Sequence, residues 1–157
     1  MTYERKSKED YYLSIAETVL TRSTCLRRKY GAVIVKDDEI IATGYNGSPR
    51  NSKNCCDLGY CKRDMKGIPH GERYEMCPAV HAEANAIISA SRRDMLGATL
   101  YLAGQEADDT PITDAKPCYM CYRLILNAGI SVIITKNVDG LATRKEVKNE
   151  ELYMFLP

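Results

Sequence analysis

Apolar residues recur with a helical period near the start of the chain. Between residues 7 and 21 they are Tyr11, Tyr12, Ile15, Ala16, Val19 and Leu20. This spacing places apolar side chains on one face of a helix. We therefore predict an amphipathic first helix over about residues 7–21.

Two short apolar runs follow this helix. Residues 31–35 are rich in β-branched side chains, and residues 40–45 form a second run after the acidic turn at 37–39. Apolar, β-branched runs on either side of a short polar turn are typical of a β-hairpin. The pattern predicts two adjacent antiparallel strands.

Helices and strands alternate in the second half of the chain. The predicted elements are a helix at 81–91, a strand at 99–103, a polar loop at 104–116, a helix at 117–127, a strand at 132–135 and a short helix at 146–152. Strands that alternate with helices indicate a layered α/β fold. We expect one domain that spans residues 1–157.

The segment at residues 46–80 shows little periodicity. It contains scattered Gly, Pro, Asn and Asp residues, together with His70 and four of the seven cysteines. A structureless loop of this length is uncommon in a compact domain. We therefore expect an additional interaction to organise it.

Charge and cysteine content narrow the classes of function. The 157 residues include 22 basic and 21 acidic side chains, for a net charge of +1, so no general electrostatic attraction to nucleic acid is expected. No stretch approaches the ~18 apolar residues of a membrane span, and the charged N-terminus does not resemble a signal peptide. We expect a cytoplasmic protein without a membrane partner, in which cysteines bind metal or catalyse rather than form disulfides.

Two short motifs carry the candidate chemistry. His81-Ala82-Glu83 opens one predicted helix, and Pro117-Cys118-Tyr119-Met120-Cys121 opens a later one. The order H-x-E followed by P-C-x-x-C is the signature of zinc-dependent deaminases. Three protein ligands leave the fourth tetrahedral position of zinc for water. We predict that His81, Cys118 and Cys121 bind a catalytic zinc ion.

Helix geometry sets a condition on this site. Cys118 and Cys121 are three residues apart, so their sulfurs share one side of a helix. His81 and Glu83 are two residues apart and diverge by about 200° on a regular helix. They converge on one pocket only if His81 lies at the start of the helix with non-helical dihedral angles.

Glu83 is the predicted general acid and base. A carboxylate next to the metal can take a proton from water, pass it to a ring nitrogen and protonate the leaving amine. The alternative is a structural zinc ribbon built on Cys118 and Cys121, in a protein that binds partners without catalysis. In that alternative, replacement of Glu83 by Gln changes nothing measurable.

Beyond the zinc motif, four stretches between about residues 10 and 135 carry a family resemblance: residues 31–35, 44–49 (GYNGSP), 81–87 and 127–130. In these the chain resembles the deoxycytidylate (dCMP) deaminases of the cytidine and deoxycytidylate deaminase superfamily. The resemblance implies a three-layer α/β/α fold with a central mixed β-sheet, and zinc-dependent hydrolysis of dCMP to dUMP. It also implies a homo-oligomer, commonly a hexamer, with dCTP as activator and dTTP as inhibitor in some members.

The resemblance also implies substrate contacts. Asn46 is expected to contact the sugar, and the Ala82 backbone N–H the pyrimidine carbonyl. Arg27 is the candidate for the substrate phosphate, because arginine forms bidentate pairs with phosphate oxygens. The alternative for Arg27 is a solvated basic run at the end of a helix.

Two departures and several alternative substrates accompany the resemblance. Residues 104–116 form a longer link than usual and are expected to reshape the mouth of the pocket. The region after Ile134 is short and polar, so the fifth strand of the usual sheet is not expected there. Other nucleosides or nucleotides, or a base within nucleic acid such as a tRNA adenosine, are the alternative substrates, although deaminases that act on polymers usually need a basic, extended surface.

A second, structural zinc is also expected from the resemblance. Cys25 and Cys55 resemble family zinc positions, and His70 and Cys77 would complete a Cys₃His set. Such a metal would organise residues 46–80, because metal binding contributes directly to the free energy of folding. Cys56 and Cys61 are rival ligands, and free thiols are the alternative.

Overall fold

A mixed β-sheet forms the centre of the structure. The computed structural model describes residues 2–154, and the ends of the predicted domain, Met1 and residues 155–157, lie outside the described residues. The strands are β1 (Arg28–Lys36), β2 (Glu39–Tyr45), β3 (Thr99–Glu106), β4 (Pro111–Ile112), β5 (Val132–Lys136) and β6 (Ala142–Glu146). Their order is β2-β1-β3-β5-β6, with β4 paired to β3. Strands β3 and β5 are parallel, and the other pairs are antiparallel.

Helices cover both faces of the sheet. They are α1 (Lys8–Leu20), α2 (Cys55–Leu58), α3 (Lys62–Met65), α4 (Ala82–Ile88), α5 (Arg92–Met95), α6 (Tyr119–Ala128) and α7 (Glu150–Tyr153), with a 3₁₀ helix at Tyr74–Met76. None of these helices, within residues 2–154, has both the length and the apolar character needed to cross a bilayer. The cytoplasmic location stays a prediction.

Alternate side chains of the strands build two cores. Val33 and Val35 pack with α1 on one face, whereas Ala32 and Ile34 pack with residues of α4 and α6 on the other. Successive strand residues point to opposite faces, so a strand that is buried on both sides reads as a continuous apolar run. The three-layer α/β/α fold with a central mixed sheet is confirmed.

Two glycines bring helices against the backbone of the sheet. A Cβ atom on Gly31 would lie 2.2 Å from the Ala16 carbonyl oxygen in α1. A Cβ atom on Gly44 would lie 2.3 Å from the Ala82 carbonyl oxygen and 2.4 Å from the Ala86 nitrogen in α4. Glycine in a strand often marks such a close approach. Gly44 therefore sets the position of α4, the helix that carries Glu83.

The predicted loop at 104–116 is wrong in two places, because strands occupy residues 104–106 and 111–112. Residues 104–106 extend β3 and pair with β4, with Gly104 opposite Ile112. The Glu106 backbone N–H also donates to the Thr110 carbonyl at 2.8 Å. The turn at residues 107–110 is exposed, and the strand segments on either side of it are too short to give a strand periodicity.

The expectation that no fifth strand follows Ile134 is also wrong. Strand β6 pairs antiparallel with β5 along five residue positions. Four of its five residues are exposed, which explains why an apolar pattern does not reveal it. Charged residues on a sheet edge are a common protection against aggregation. The helix predicted at 146–152 is α7, and Glu146 belongs to β6.

Backbone pairing closes the segment at residues 46–80. Gly47 and Val80 form an antiparallel bridge, with N–H to carbonyl distances of 3.1 and 2.8 Å. Helices α2 and α3 and the 3₁₀ helix lie between these ends. The segment is thus a closed loop with short helical turns, and one of its sides faces the candidate site.

Candidate active site

Two helix N-termini meet at the candidate active site. His81 immediately precedes α4, and Cys118 immediately precedes α6. Both have extended backbone angles, φ −70° and ψ 155° for His81 and φ −70° and ψ 167° for Cys118. The condition set for His81 is therefore confirmed. Cys118, which was predicted inside the helix, is instead its N-cap, and Cys121 lies in the first turn.

The three predicted ligands form a compact donor set. His81 Nδ1 lies 3.4 Å from Cys118 Sγ and 3.5 Å from Cys121 Sγ, and the three ligand atoms all lie within 4.8 Å of one another. Tetrahedral zinc, with bonds of roughly 2.0–2.1 Å to nitrogen and 2.3 Å to sulfur, separates the two donors by about 3.6 Å. The donor types and their spacing fit a zinc ion.

The two sulfurs differ in acidity because they share a proton. The hydrogen bond from Cys121 lowers the pKa of Cys118 to about 4, and the interaction with His81 contributes to this shift. The same contact with Cys118, together with burial, raises the pKa of Cys121. A divalent cation removes the repulsion between the two sulfurs, so that both can be thiolates.

Glu83 is buried beside this donor set. Its residue surface is only 5% exposed, and burial raises the pKa of the carboxyl group above its ordinary value. Desolvation disfavours the charged form of a carboxylate. A carboxylate whose pKa is raised accepts protons more readily, which suits a group that takes a proton from water and passes it on.

A cavity of about 440 Å³ connects these groups to residues 46–80. Its size falls in the range of small-molecule binding sites. His81, Ala82, Glu83 and Cys118 line one side of it. The predicted substrate contacts Arg27 and Asn46 line the same cavity. The structure thus brings the predicted catalytic and substrate-binding residues to one place.

Asn46 is buried and held by three hydrogen bonds. Its Oδ1 accepts from the Ser23 hydroxyl at 2.6 Å and from the Tyr30 backbone N–H at 2.8 Å. Its Nδ2 donates to the Arg28 carbonyl at 2.8 Å. The two hydrogen bonds to Oδ1 occupy both lone pairs of the amide oxygen. Of the two N–H groups of Nδ2, one donates to Arg28 and the other is available for a ligand. Any contact of Asn46 with a ligand is therefore a donation.

Arg27 lies just before β1 and has a protein partner. Its Nε is 3.1 Å from Asp64 Oδ1, and its Nη1 donates to the Ile68 carbonyl at 3.4 Å. Arg28 and Lys29 belong to β1. The alternative of a solvated basic run at a helix end is therefore wrong for Arg27.

The predicted second zinc set is only loosely assembled. Cys25, Cys55, His70 and Cys77 all line the cavity, but within residues 2–154 no second group of three or more His, Cys, Asp or Glu residues has its ligand atoms within 4.8 Å of one another. His70 Nε2 is 2.7 Å from Arg28 Nη1. Burial raises the pKa of Cys55, and the rival ligand Cys61 is among the nearby thiols that add to the shift. The second zinc stays a prediction.

Tyr74 and Arg63 are among the cavity residues that sequence reasoning missed. The Tyr74 ring meets the His81 imidazole edge-on, with centroids 4.8 Å apart, and the Arg63 guanidinium lies 4.8 Å from the Tyr74 centroid. Both residues belong to the segment without periodicity, so no pattern in the sequence marks them. Burial of an arginine depends on tertiary packing alone.

Comparison with known proteins places the chain in a family. Residues 6–136 match the model of the cytidine and deoxycytidylate deaminase zinc-binding region. The chain belongs to the cytidine and deoxycytidylate deaminase family. The deoxycytidylate deaminase of Mycobacterium phage D29 is 38% identical over 135 residues, which cover 83% of this chain and 94% of that protein. The Saccharomyces cerevisiae deoxycytidylate deaminase is 37% identical, and the match covers 83% of this chain but only 38% of that longer protein.

Solved structures of the same deaminase family share the fold. The apo dCMP deaminase of cyanophage S-TIM5 has a TM-score of 0.60 and 27% identity, over 88% of this chain and 90% of that one. The same enzyme in complex with dCMP and dUMP has a TM-score of 0.59 and 26% identity, over 86% and 85% of the two chains. The resemblance seen in the sequence is confirmed.

Proposed function

We propose that this protein catalyses the zinc-dependent hydrolytic deamination of dCMP to dUMP. The observation that carries the proposal is the donor set of His81, Cys118 and Cys121 next to the buried Glu83, in a cavity sized for a small ligand. Similarity to the phage D29 deoxycytidylate deaminase supports the choice of substrate. So does similarity to the cyanophage enzyme that was solved with dCMP and dUMP.

Zinc and Glu83 have separate tasks in this proposal. When bound by His81, Cys118 and Cys121, zinc supplies a nucleophile by lowering the pKa of water toward neutrality. Glu83 takes a proton from the attacking water and delivers it to N3 of the pyrimidine. It then takes the proton of the new hydroxyl group at C4 and transfers it to the amino group, which leaves as ammonia as the C4 carbonyl forms. One water is consumed, and dUMP and one ammonia are formed.

The start of α4 and the buried Asn46 orient the substrate. Ala82 lies in the first turn of α4, where backbone N–H groups lack partners within the helix, so its N–H is suited to the pyrimidine carbonyl. Asn46 has one N–H of Nδ2 to offer to an oxygen of the sugar. Both residues line the cavity next to Glu83.

Ammonia release from a set of substrates tests the proposal. We expect turnover of dCMP to exceed that of deoxycytidine, CMP and a tRNA substrate. Loss of turnover after Glu83→Gln must accompany this preference, since a zinc-binding interaction module would be insensitive to the change. Turnover of tRNA adenosine without turnover of dCMP would overturn the proposal.

We also propose a second, structural zinc near residues 46–80. Its supports are the cysteines at the cavity wall, of which Cys25, Cys55 and Cys77 were predicted as ligands and Cys61 is a rival. In this proposal the sulfurs of these cysteines bind the metal, with His70 as the fourth predicted ligand. A metal assay on protein purified without chelator is expected to give two zinc ions per chain. A value of one removes this site.

Assembly and regulation complete the proposal. We expect a homo-oligomer, with a hexamer favoured, and regulation by dCTP and dTTP. Exposed apolar side chains on α4 and α6, Ile88 and Leu124, are available for contacts between chains. Light scattering of the purified protein measures the assembly, and a dCMP saturation curve with and without dCTP measures activation.

A further inference from the structure

Within residues 2–154, Arg63 is a buried cation without a carboxylate partner. It lies in α3, only 5% of its surface is exposed, and its side chain lines the same cavity as His81 and Glu83. Its Nη2 donates to the Pro69 carbonyl at 2.8 Å. Its Nε–H is buried and has no hydrogen-bond partner. Burial of a charge is costly unless another charge compensates it.

The other two arginines of the cavity are already neutralised. Arg27 pairs with Asp64 at 3.1 Å. Arg28 forms a two-point pair with Glu106, at 2.9 and 3.0 Å. In contrast, no Asp or Glu oxygen in residues 2–154 lies within 4.0 Å of the Arg63 guanidinium. Lys116 also lines the cavity, but it is exposed and therefore solvated.

The position of Arg63 relates it to the catalytic groups. Its guanidinium lies over the Tyr74 ring, and that ring contacts the His81 imidazole. One aromatic side chain thus separates the buried positive charge from the predicted metal ligand. In a nucleotide, the phosphate is likewise separated from the reacting base. A base next to His81 and a phosphate next to Arg63 would therefore match this arrangement.

We infer that Arg63 binds the 5′-phosphate of the substrate and thereby selects a nucleotide over a nucleoside. The inference rests on the proposed function and deepens it. The phosphate dianion supplies the negative charge that no carboxylate in residues 2–154 supplies to Arg63. Guanidinium groups bind phosphate through short, charge-assisted hydrogen bonds. Arg27 was first expected to bind the phosphate. In this inference it instead contacts α3 through its ion pair with Asp64.

The test compares ligands with and without phosphate. Arg63→Gln should lower kcat/KM for dCMP about a hundredfold, the effect of losing a charged hydrogen-bonded pair. The kcat/KM for deoxycytidine should change less than about twofold, since that substrate offers no phosphate. Calorimetry gives a second reading, in which Arg63→Gln weakens binding of dUMP about a hundredfold and leaves binding of deoxyuridine unchanged.

Arg27→Gln is the rival variant, because the family resemblance gives Arg27 the same role. The inference predicts that the preference for dCMP falls less in Arg27→Gln than in Arg63→Gln. Lys116→Gln is the control, because it removes an exposed cation from the same cavity and should keep the preference. A merely structural role of Arg63 predicts equal losses for both substrates in Arg63→Gln, and that result overturns the inference. Loss of the preference in Arg27→Gln, with Arg63→Gln unaffected, overturns it as well.

A more conservative variant keeps the inference testable if Arg63→Gln does not fold. Arg63→Lys keeps the charge but loses the planar fork of donors, so the preference for dCMP should fall about tenfold in a folded protein. An unchanged preference contradicts the inference. If the wild-type protein prefers dCMP and the Arg63 variants share that preference, only this inference fails. If the wild-type protein does not deaminate dCMP, the proposed function itself fails.

Discussion

The two sides of the cavity differ in how they are built. One side consists of regular elements. The start of α4 presents its N-cap His81 and Glu83 of its first turn, and the start of α6 presents its N-cap Cys118. The opposite side comes from residues 46–80, a closed loop of short turns that contributes Arg63 and Tyr74. Regular elements hold side chains with little freedom, which suits a metal and a proton-transfer group.

The two sides of the cavity therefore have different tasks in the proposed function: the regular side carries out the reaction, and the loop side selects the substrate. The regular side holds every group that the proposed chemistry needs. The loop side holds the buried positive charge and carries no residue that transfers a proton in the proposed reaction. Loops tolerate changes of sequence and length better than a core does. Substrate preference can therefore change on the loop side while the reaction on the other side stays the same.

Removal of a zinc ligand should have the largest effect. We expect Cys121→Ala to lose the catalytic zinc and to abolish detectable turnover of dCMP, because His81 and Cys118 alone give zinc only two protein ligands. Metal analysis should fall by one zinc per chain. Asn127→Ala is the control, since Asn127 lies in the same helix, is exposed and lies outside the cavity lining. Full zinc content in a folded Cys121→Ala protein contradicts the assignment.

Glu83→Gln should reduce kcat strongly without loss of metal. General acid–base groups typically contribute 10²–10⁴-fold, and we expect a loss of about 10³-fold or more because Glu83 serves several proton transfers. The amide keeps the size of the side chain, so zinc content and dUMP binding should change little. Turnover at the wild-type rate would assign Glu83 to structure alone.

The sequence predicts the regular side far better than the loop side. His81, Glu83, Cys118 and Cys121 could be placed because ligand chemistry and helix spacing restrict where such residues work together. Arg63 could not, since its burial results from the folding of an aperiodic segment around Tyr74. Strand β6 was missed for a related physical reason, because an exposed edge strand carries no apolar alternation.

A pair of glycine variants tests whether the regular side depends on close helix packing. Gly44→Ala would force α4 away from β2, and Gly31→Ala would force α1 away from β1. Overpacking of this kind typically costs about 1–3 kcal/mol, so both variants should unfold at lower temperature. Only Gly44→Ala should also reduce kcat in the folded protein, because α4 positions His81 and Glu83. Equal kcat values in the two variants would show that the site tolerates movement of α4.

The smallest effect is expected at Tyr12, on the face of the sheet away from the cavity. Its hydroxyl donates to Asp38 Oδ1 at 2.7 Å, and this bond, aided by burial, raises the pKa of Tyr12 from 10.0 to about 12. A pKa raised in the folded state contributes stability that is fully present below pH 10 and is lost as the pH rises through about 12. Urea titrations from pH 8 to pH 12 should show that the stability advantage of the wild type over Tyr12→Phe disappears across this window. The variant should retain wild-type kcat at neutral pH, because this contact stabilises the fold without touching either side of the cavity.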